Sequence, residues 1–148
     1  MTIADYPSPR DVVFTEGLDR NGMISRVIEK AEESGHLGDA EKFNRAIFER
    51  EAILSTAVGS GVAVPHAKVA GIWEFFVVVG VSASPIEWDA PDKEPVRIVF
   101  LIGGPERQQT RYLQILAKVM LVVKNERLRE RLLGAESPDD VISTFSGM

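Results

Sequence analysis

Two stretches limit what this chain can fold into. Trp73-Glu-Phe-Phe-Val-Val-Val-Gly-Val-Ser82 and Val96-Arg-Ile-Val-Phe-Leu-Ile102 are apolar, β-branched and aromatic, and both are bounded by Gly and Pro. A strand with one wet face alternates apolar with polar residues, whereas a run without alternation reads as a strand buried on both faces. Such strands need helices on both sides of the sheet. Asp19 is placed to cap a helix whose stripe is Ile24, Val27, Ile28 and Ala31, closing at Gly35. Asp39 is placed to cap a second. Helical spacing returns from Gln108 to Lys124, with Leu113, Leu116, Ala117 and Met120 on one face, and again from Glu126 to Leu133. Ser137-Pro138-Asp139-Asp140 opens a last helix, with a capping serine, Pro at the first helical position and acids facing the dipole.

Val12 to Thr15 reads as a short strand and residues 85–92 as a turn-rich stretch holding a short edge strand. Helices alternating with strands predict an α/β fold: a mixed sheet flanked by helices on both faces, a three-layer α/β/α sandwich. Trp73, Phe75 and Phe76 are expected in the core, Trp88 at a turn, and Asp89 and Asp92 as turn residues. With 148 residues, 45% of them hydrophobic, and no repeat or long linker, one domain over 1–148 is expected, with about 1–8 as a loose N-terminal arm.

A net charge of −5 repels polyanions and argues against nucleic-acid binding. The absence of cysteine excludes a disulfide framework, a thiol nucleophile and a Cys-based metal site. The N-terminus lacks the charged and apolar regions of a signal peptide, and no apolar run reaches membrane-spanning length. A cytoplasmic protein with no direct membrane insertion is expected.

The chemistry concentrates in residues 50–66, where a helical pattern ends, a glycine loop follows and Pro65 presents His66. A neutral imidazole keeps a lone pair on one nitrogen and can accept a phosphoryl group and pass it on. Gly59 and Gly61 permit close backbone approach to an anion, while the hydroxyls of Ser55 and Thr56 and the guanidinium of Arg50 can offset its charge. Arg50 follows Phe43 and Ile47 at helical spacing, so it would be drawn inward, where it needs an anionic partner. The plainer alternative sends its head to water at the helix end or to a nearby acid. A histidine taken alone is more often structural than reactive; the residues around His66 reverse that weighting. His36, just past Gly35, is given a loop or C-cap role, and a His36–His66 metal site lacks an evident third ligand. Ser55 and His66 lack the Gly-x-Ser-x-Gly context of a hydrolase.

The pattern Arg50-Glu51…Ser55-Thr56…Gly59-x-Gly61-x-Ala63-x-Pro65-His66, with Pro95-Val-x-Ile-Val-Phe-Leu-Ile and Leu113-Gln-x-Leu-Ala-Lys later in the chain, resembles the type 2 IIA domain of the phosphoenolpyruvate-dependent sugar phosphotransferase system, the fructose, mannitol and nitrogen-regulatory group. The resemblance spans most of the chain. It implies that His66 accepts a phosphoryl group from the histidine-containing phosphocarrier protein and passes it to a IIB component, that Arg50 stabilises its oxygens, and that Ser55 and Thr56 lie beside it. It implies no built-in cofactor or metal. If active, the chain is a transferase component with a phosphohistidine intermediate.

One position departs from the family pattern. A second histidine usually precedes the leucine of Leu-x-x-Leu-Ala, and Tyr112 stands there. A phenol donates a hydrogen bond but carries no positive charge at pH 7. Arg111 beside it points about 100° away on a helix. The tyrosine favours another reading, a regulatory module controlling a transporter or kinase by protein contact; a further alternative is an unrelated enzyme using His66 as general base, for which the sequence names no second titratable group.

Overall fold

The computed structural model describes residues 6–146. Its elements run β1 (Val12–Thr15), α1 (Arg20–Glu33), α2 (Ala40–Ile53), β2 (Ala57–Gly59), β3 (Val62–Ala63), β4 (His66–Lys68), β5 (Phe76–Ile86), β6 (Val96–Gly104), α3 (Gln109–Val123), α4 (Glu126–Leu133) and α5 (Pro138–Thr144). The sheet order is β1-β5-β6-β3-β2, and β4 also pairs with β6. β1 lies parallel to β5, β5 antiparallel to β6, and β3 and β4 parallel to β6. The mixed sheet and the three-layer sandwich are those the sequence predicts.

Alternate residues of the long strands enter opposite layers. Phe76, Val78, Val99 and Leu101 pack with α1 and α2 through Met23, Ile24, Val27, Phe43 and Ile47. Val77, Val79, Ile98, Phe100 and Ile102 pack with the later helices through Ile115, Val119, Leu132, Val141 and Phe145. Coverage on both sides explains the unbroken apolar runs. β6 ends in two glycines because aromatic rings cross it there. A Cβ on Gly103 would lie 2.4 Å from Phe76, and one on Gly104 would lie 2.1 Å from Phe75.

The caps at Asp19, Asp39 and Ser137 each accept a backbone N–H as expected. Several expectations need correction. β5 begins at Phe76 and continues to Ile86, leaving Trp73 90% exposed rather than in the core. No separate edge strand forms after Ile86 among the described residues; Trp88 is buried there. The buried face of α3 is Tyr112, Ile115, Val119, Val122 and Val123; Leu113 is 51% exposed and Ala117 is exposed too. The inward stripe follows the β-branched residues, and Leu113 lies about 100° around the helix from Tyr112. Of the expected N-terminal arm, residues 1–5 lie outside the described residues. Pro7 is buried, and Ser8 caps a 3-10 turn at Pro9–Asp11, so this part of the arm is tied down.

Candidate functional site: a histidine at a broken strand

β3 and β4 run along the same side of β6, Val62 beside Ile98 and His66 beside Ile102. They would be one strand but for Val64-Pro65. Proline has no N–H for the ladder, and the N–H of Val64 turns away to the Thr56 carbonyl (2.9 Å). The Pro65 carbonyl still accepts the Ile102 N–H at 3.0 Å. The Val64 carbonyl, which faces the β2 side rather than β6, lies 2.7 Å from His66 Nδ1. A carbonyl only accepts, so Nδ1 carries the ring proton and Nε2 keeps its lone pair. Sequence alone leaves the choice of nitrogen open; this contact decides it.

His66 is half-buried, and that burial holds its pKa below the usual 6.5. The Val64 hydrogen bond and the charge of Glu51 oppose the shift, while the charges of Arg50 and Lys68 reinforce it. The imidazole is therefore neutral at pH 7. Tyr112, on the first turn of α3, faces it with ring centroids 5.8 Å apart and a 44° tilt. Burial pushes the phenol up to about 12, against a pull from Arg50, so it keeps its proton throughout the working range.

Arg50 stands in the last turn of α2 and donates from Nη1 to the Leu54 carbonyl at 2.8 Å. This is a helix-end contact. No carboxylate pairs with Arg50 among the described residues. It is half-buried, at the edge of the apolar stripe rather than on it. The charged residue on the stripe is Glu51, one helical step further, in line with Phe43 and Ile47 and only 6% exposed.

A buried carboxylate needs donors. Glu51 accepts from the Thr56 N–H (3.1 Å), the Thr56 hydroxyl (2.6 Å) and the Trp88 indole (2.7 Å). The sequence reading passed over it. The row Phe43, Ile47, Glu51 runs at i, i+4, i+8, but at about 100° per residue Glu51 lies about 80° and Arg50 only about 20° around the helix from Phe43, so spacing alone favoured Arg50 and gave no signal for Glu51. Through Thr56, Glu51 anchors the chain beside Ser55. The hydroxyl hydrogen of Thr56 is committed to this carboxylate and so is not offered to an anion beside His66. Ser55 accepts from the Ala57 N–H at 3.2 Å. Its own hydroxyl hydrogen has no acceptor among the described residues.

The expectation that Gly59 and Gly61 line the His66 site is overturned. They belong to a hairpin turn joining β2 and β3, where Gly59, Ser60 and Gly61 have φ of 96°, 59° and 77°. The Gly61 carbonyl accepts from the Arg97 and Ile98 N–H groups, placing the turn at the start of β6. His66 is in register with Ile102, four residues on, which is roughly 13 Å along a strand. Asp92 accepts the Ser60 N–H at 2.8 Å and occupies the space beside Gly59. Ser-Gly between two short apolar stretches is a hairpin signal in its own right.

His36 is held elsewhere, with Nε2 2.7 Å from Asp11 Oδ1 and its ring stacked on Phe76. Among the described residues, no group of three or more His, Asp or Glu is placed to hold a metal ion, and no helix is long and apolar enough to cross a membrane.

An α/β/α sandwich with a neutral histidine beside a strand break, a guanidinium that no carboxylate pairs among the described residues and an aromatic wall is suited to placing an anionic group on the imidazole. The family comparison agrees with that chemistry. Residues 9–147 match the family described as phosphoenolpyruvate-dependent sugar phosphotransferase system, EIIA 2, and the chain belongs to it. It is 34% identical over 122 residues to the fructose-specific EIIA component of Haloferax volcanii, covering 82% of this chain and 79% of that protein. It is 30% identical to the fructose-specific EIIABC component of Bacillus subtilis, covering 88% of this chain but 21% of that larger protein. The fold matches the crystal structure of the nitrogen regulatory protein IIA-Ntr from Neisseria meningitidis with a TM-score of 0.89 and 25% identity, over 97% of this chain and 99% of that one.

Proposed function

We propose that residues 1–148 form a one-domain cytoplasmic phosphoryl carrier that accepts a phosphoryl group on His66 Nε2 from the histidine-containing phosphocarrier protein and passes it to a IIB component. The observation that carries this reading is the 2.7 Å contact of Nδ1 with the Val64 carbonyl, which leaves Nε2 as the nucleophile. In the step itself Nε2 forms the bond to phosphorus while the donor's nitrogen–phosphorus bond breaks and its imidazole leaves. The accepting ring gains positive character, and the Val64 carbonyl takes up part of it through the Nδ1 proton.

Phosphoryl transfer needs positioning and charge compensation more than acid–base help. Arg50, paired with no carboxylate among the described residues, supplies a planar pair of donors to the equatorial oxygens. Ser55 and Tyr112 add neutral hydroxyl donors. Glu51 and Thr56 act one step back, holding the 54–56 segment in place.

A second reading has its own support. The likeness to the Neisseria nitrogen regulatory protein runs the length of both chains, and a neutral phenol replaces a titratable imidazole beside the acceptor. Under that reading the phosphorylation state of His66, or the surface around it alone, controls contact with a transporter or kinase.

Incubation with phosphoenolpyruvate, enzyme I and the phosphocarrier, read by intact mass under non-acidic conditions beside His66→Ala, tests the carrier. One acid-labile phosphoryl group in the wild type alone is expected. An unmodified wild type in the presence of active cognate donors overturns the transfer reading and leaves the regulatory one.

A further inference from the structure

We propose that Lys68 is a second phosphoryl-binding cation of this site, moving its ammonium from Tyr112 and Gln109 onto the oxygens of phosphorylated His66. The proposal rests on His66 being the acceptor. His66 and Lys68 are the two ends of β4, and alternate residues of a strand project to the same side. Both side chains meet one ring. The His66 imidazole lies 5.8 Å from the centre of Tyr112, and Lys68 Nζ lies 5.0 Å from the same centre.

The present partners of Lys68 are neutral. They are the face of Tyr112 and the side-chain oxygen of Gln109, the first residue of α3. No carboxylate pairs with the ammonium among the described residues. Its field nevertheless reaches His66, since it and Arg50 both disfavour the protonated ring, with the Val64 hydrogen bond and the charge of Glu51 acting in the other sense.

The charge balance leaves a place for it. A phosphoryl group on nitrogen carries two negative charges once fully ionised; Arg50 and, while Nδ1 keeps its proton, the ring itself each supply one positive, and the charge of Glu51 acts against them. Tyr112, protonated up to about 12, supplies none. An ammonium held by a ring face and an amide gives up weak neutral contacts for charge-assisted ones. Its flexible stem and three rotatable donors suit a group that must arrive and leave. This residue was not among those singled out in the sequence.

Potassium phosphoramidate, which phosphorylates accessible histidines without a protein donor, loads His66 in the wild type, Lys68→Gln and Lys68→Arg. His66→Ala assigns the signal. Phosphorus-31 NMR then follows the phosphoryl resonance against pH, with circular dichroism checking each fold. Loss of the cation is expected to raise the second ionisation of the phosphoryl group by roughly half a unit to one unit, with arginine restoring the wild-type curve. Superimposable curves for wild type and Lys68→Gln overturn the proposal. A Lys68 effect in a protein that its cognate phosphocarrier does not load upholds this inference while overturning the pathway. Failure of phosphoramidate to load His66 overturns both.

Discussion

The two histidines of this chain show how a neighbour decides what an imidazole does. His36 gives Nε2 to the carboxylate of Asp11, which is 1% exposed, and stacks its ring flat on Phe76 at 4.7 Å. His66 gives Nδ1 to a carbonyl and keeps Nε2 open beside Arg50, Lys68 and Tyr112. Either acceptor fixes a proton on the nitrogen it meets. What differs is the rest of the ring's surroundings: His36 lies flat on Phe76, while His66 faces Arg50, Lys68 and Tyr112. The first arrangement ties the loop after α1 to the turn before β1; the second builds a site at a strand break.

Exchanging the roles by mutation is the most direct way to break this comparison. His66→Ala is expected to abolish phosphoryl acceptance, at least a thousand-fold below wild type on the scale of lost nucleophiles, while costing less than about 1 kcal/mol of stability. His36→Ala is expected to keep acceptance and lose about 1–3 kcal/mol, because Asp11 stays buried with only its Ser8 bonds. That is roughly 3–10 °C in Tm. Intact mass and thermal denaturation on both variants check the pair, and a His36→Ala protein that fails to load while folded breaks the contrast.

Arg50→Ala comes next in size. Loss of a preorganised charge at the developing oxyanion is expected to slow transfer roughly a hundred-fold, and Arg50→Lys to recover only part of it. Rapid-quench measurement of phosphohistidine formation reads both. Equal rates in all three proteins would remove Arg50 from the site.

Acid separates the two histidine environments by window. The pKa of His66 is lowered in the folded state, so on acidification the unfolded chain binds that proton first. Stability therefore falls as pH drops below about 6.5 and stops falling below the folded value. Burial alone would raise the pKa of Asp11, but the His36 hydrogen bond, the Ser8 N–H and the His36 charge more than offset it, leaving it lowered. Its contribution is complete above the unfolded value near 3.8 and is lost as pH falls through the lower folded one. Urea denaturation at pH 7.5, 5.5 and 3.5 is expected to show the first loss in wild type but not in His66→Gln, and the last in both. The acceptance rate is expected to stay flat down to about pH 6.5 and to fall with an apparent pKa below it.

The smallest effect concerns Tyr112. Tyr112→Phe is expected to slow transfer about two- to ten-fold, the size of one neutral hydrogen bond. Tyr112→His is expected to add a pH dependence near neutrality that the phenol, protonated up to about 12, does not have. A stopped-flow pH series on the three proteins sharpens the comparison between an aromatic wall and a titrating one.

Much of this molecule was legible beforehand, for local reasons. β1 and the starts of α1, α2 and α5 follow from short-range signals, caps and β-branched runs, that act over a few residues. His66 stood out because proline, glycine and arginine gathered around it in sequence. The errors share one cause. The glycines a few residues before His66 in the chain are roughly 13 Å from it along the strand, because residues 62–66 run extended along β6, away from the hairpin turn. Helical spacing favoured Arg50 for the buried stripe, and only packing against Trp88 and Thr56 selected the Glu51 carboxylate instead.

The sequence by itself determined the layer architecture and the family and singled out the histidine proposed as acceptor, since each rests on periodicity or on a compact motif. The tertiary structure alone decided which imidazole nitrogen is free, which of two adjacent charges lies inside, and which cations face the acceptor. Those are matters of direction and distance between segments far apart in the chain, and a one-dimensional pattern contains neither.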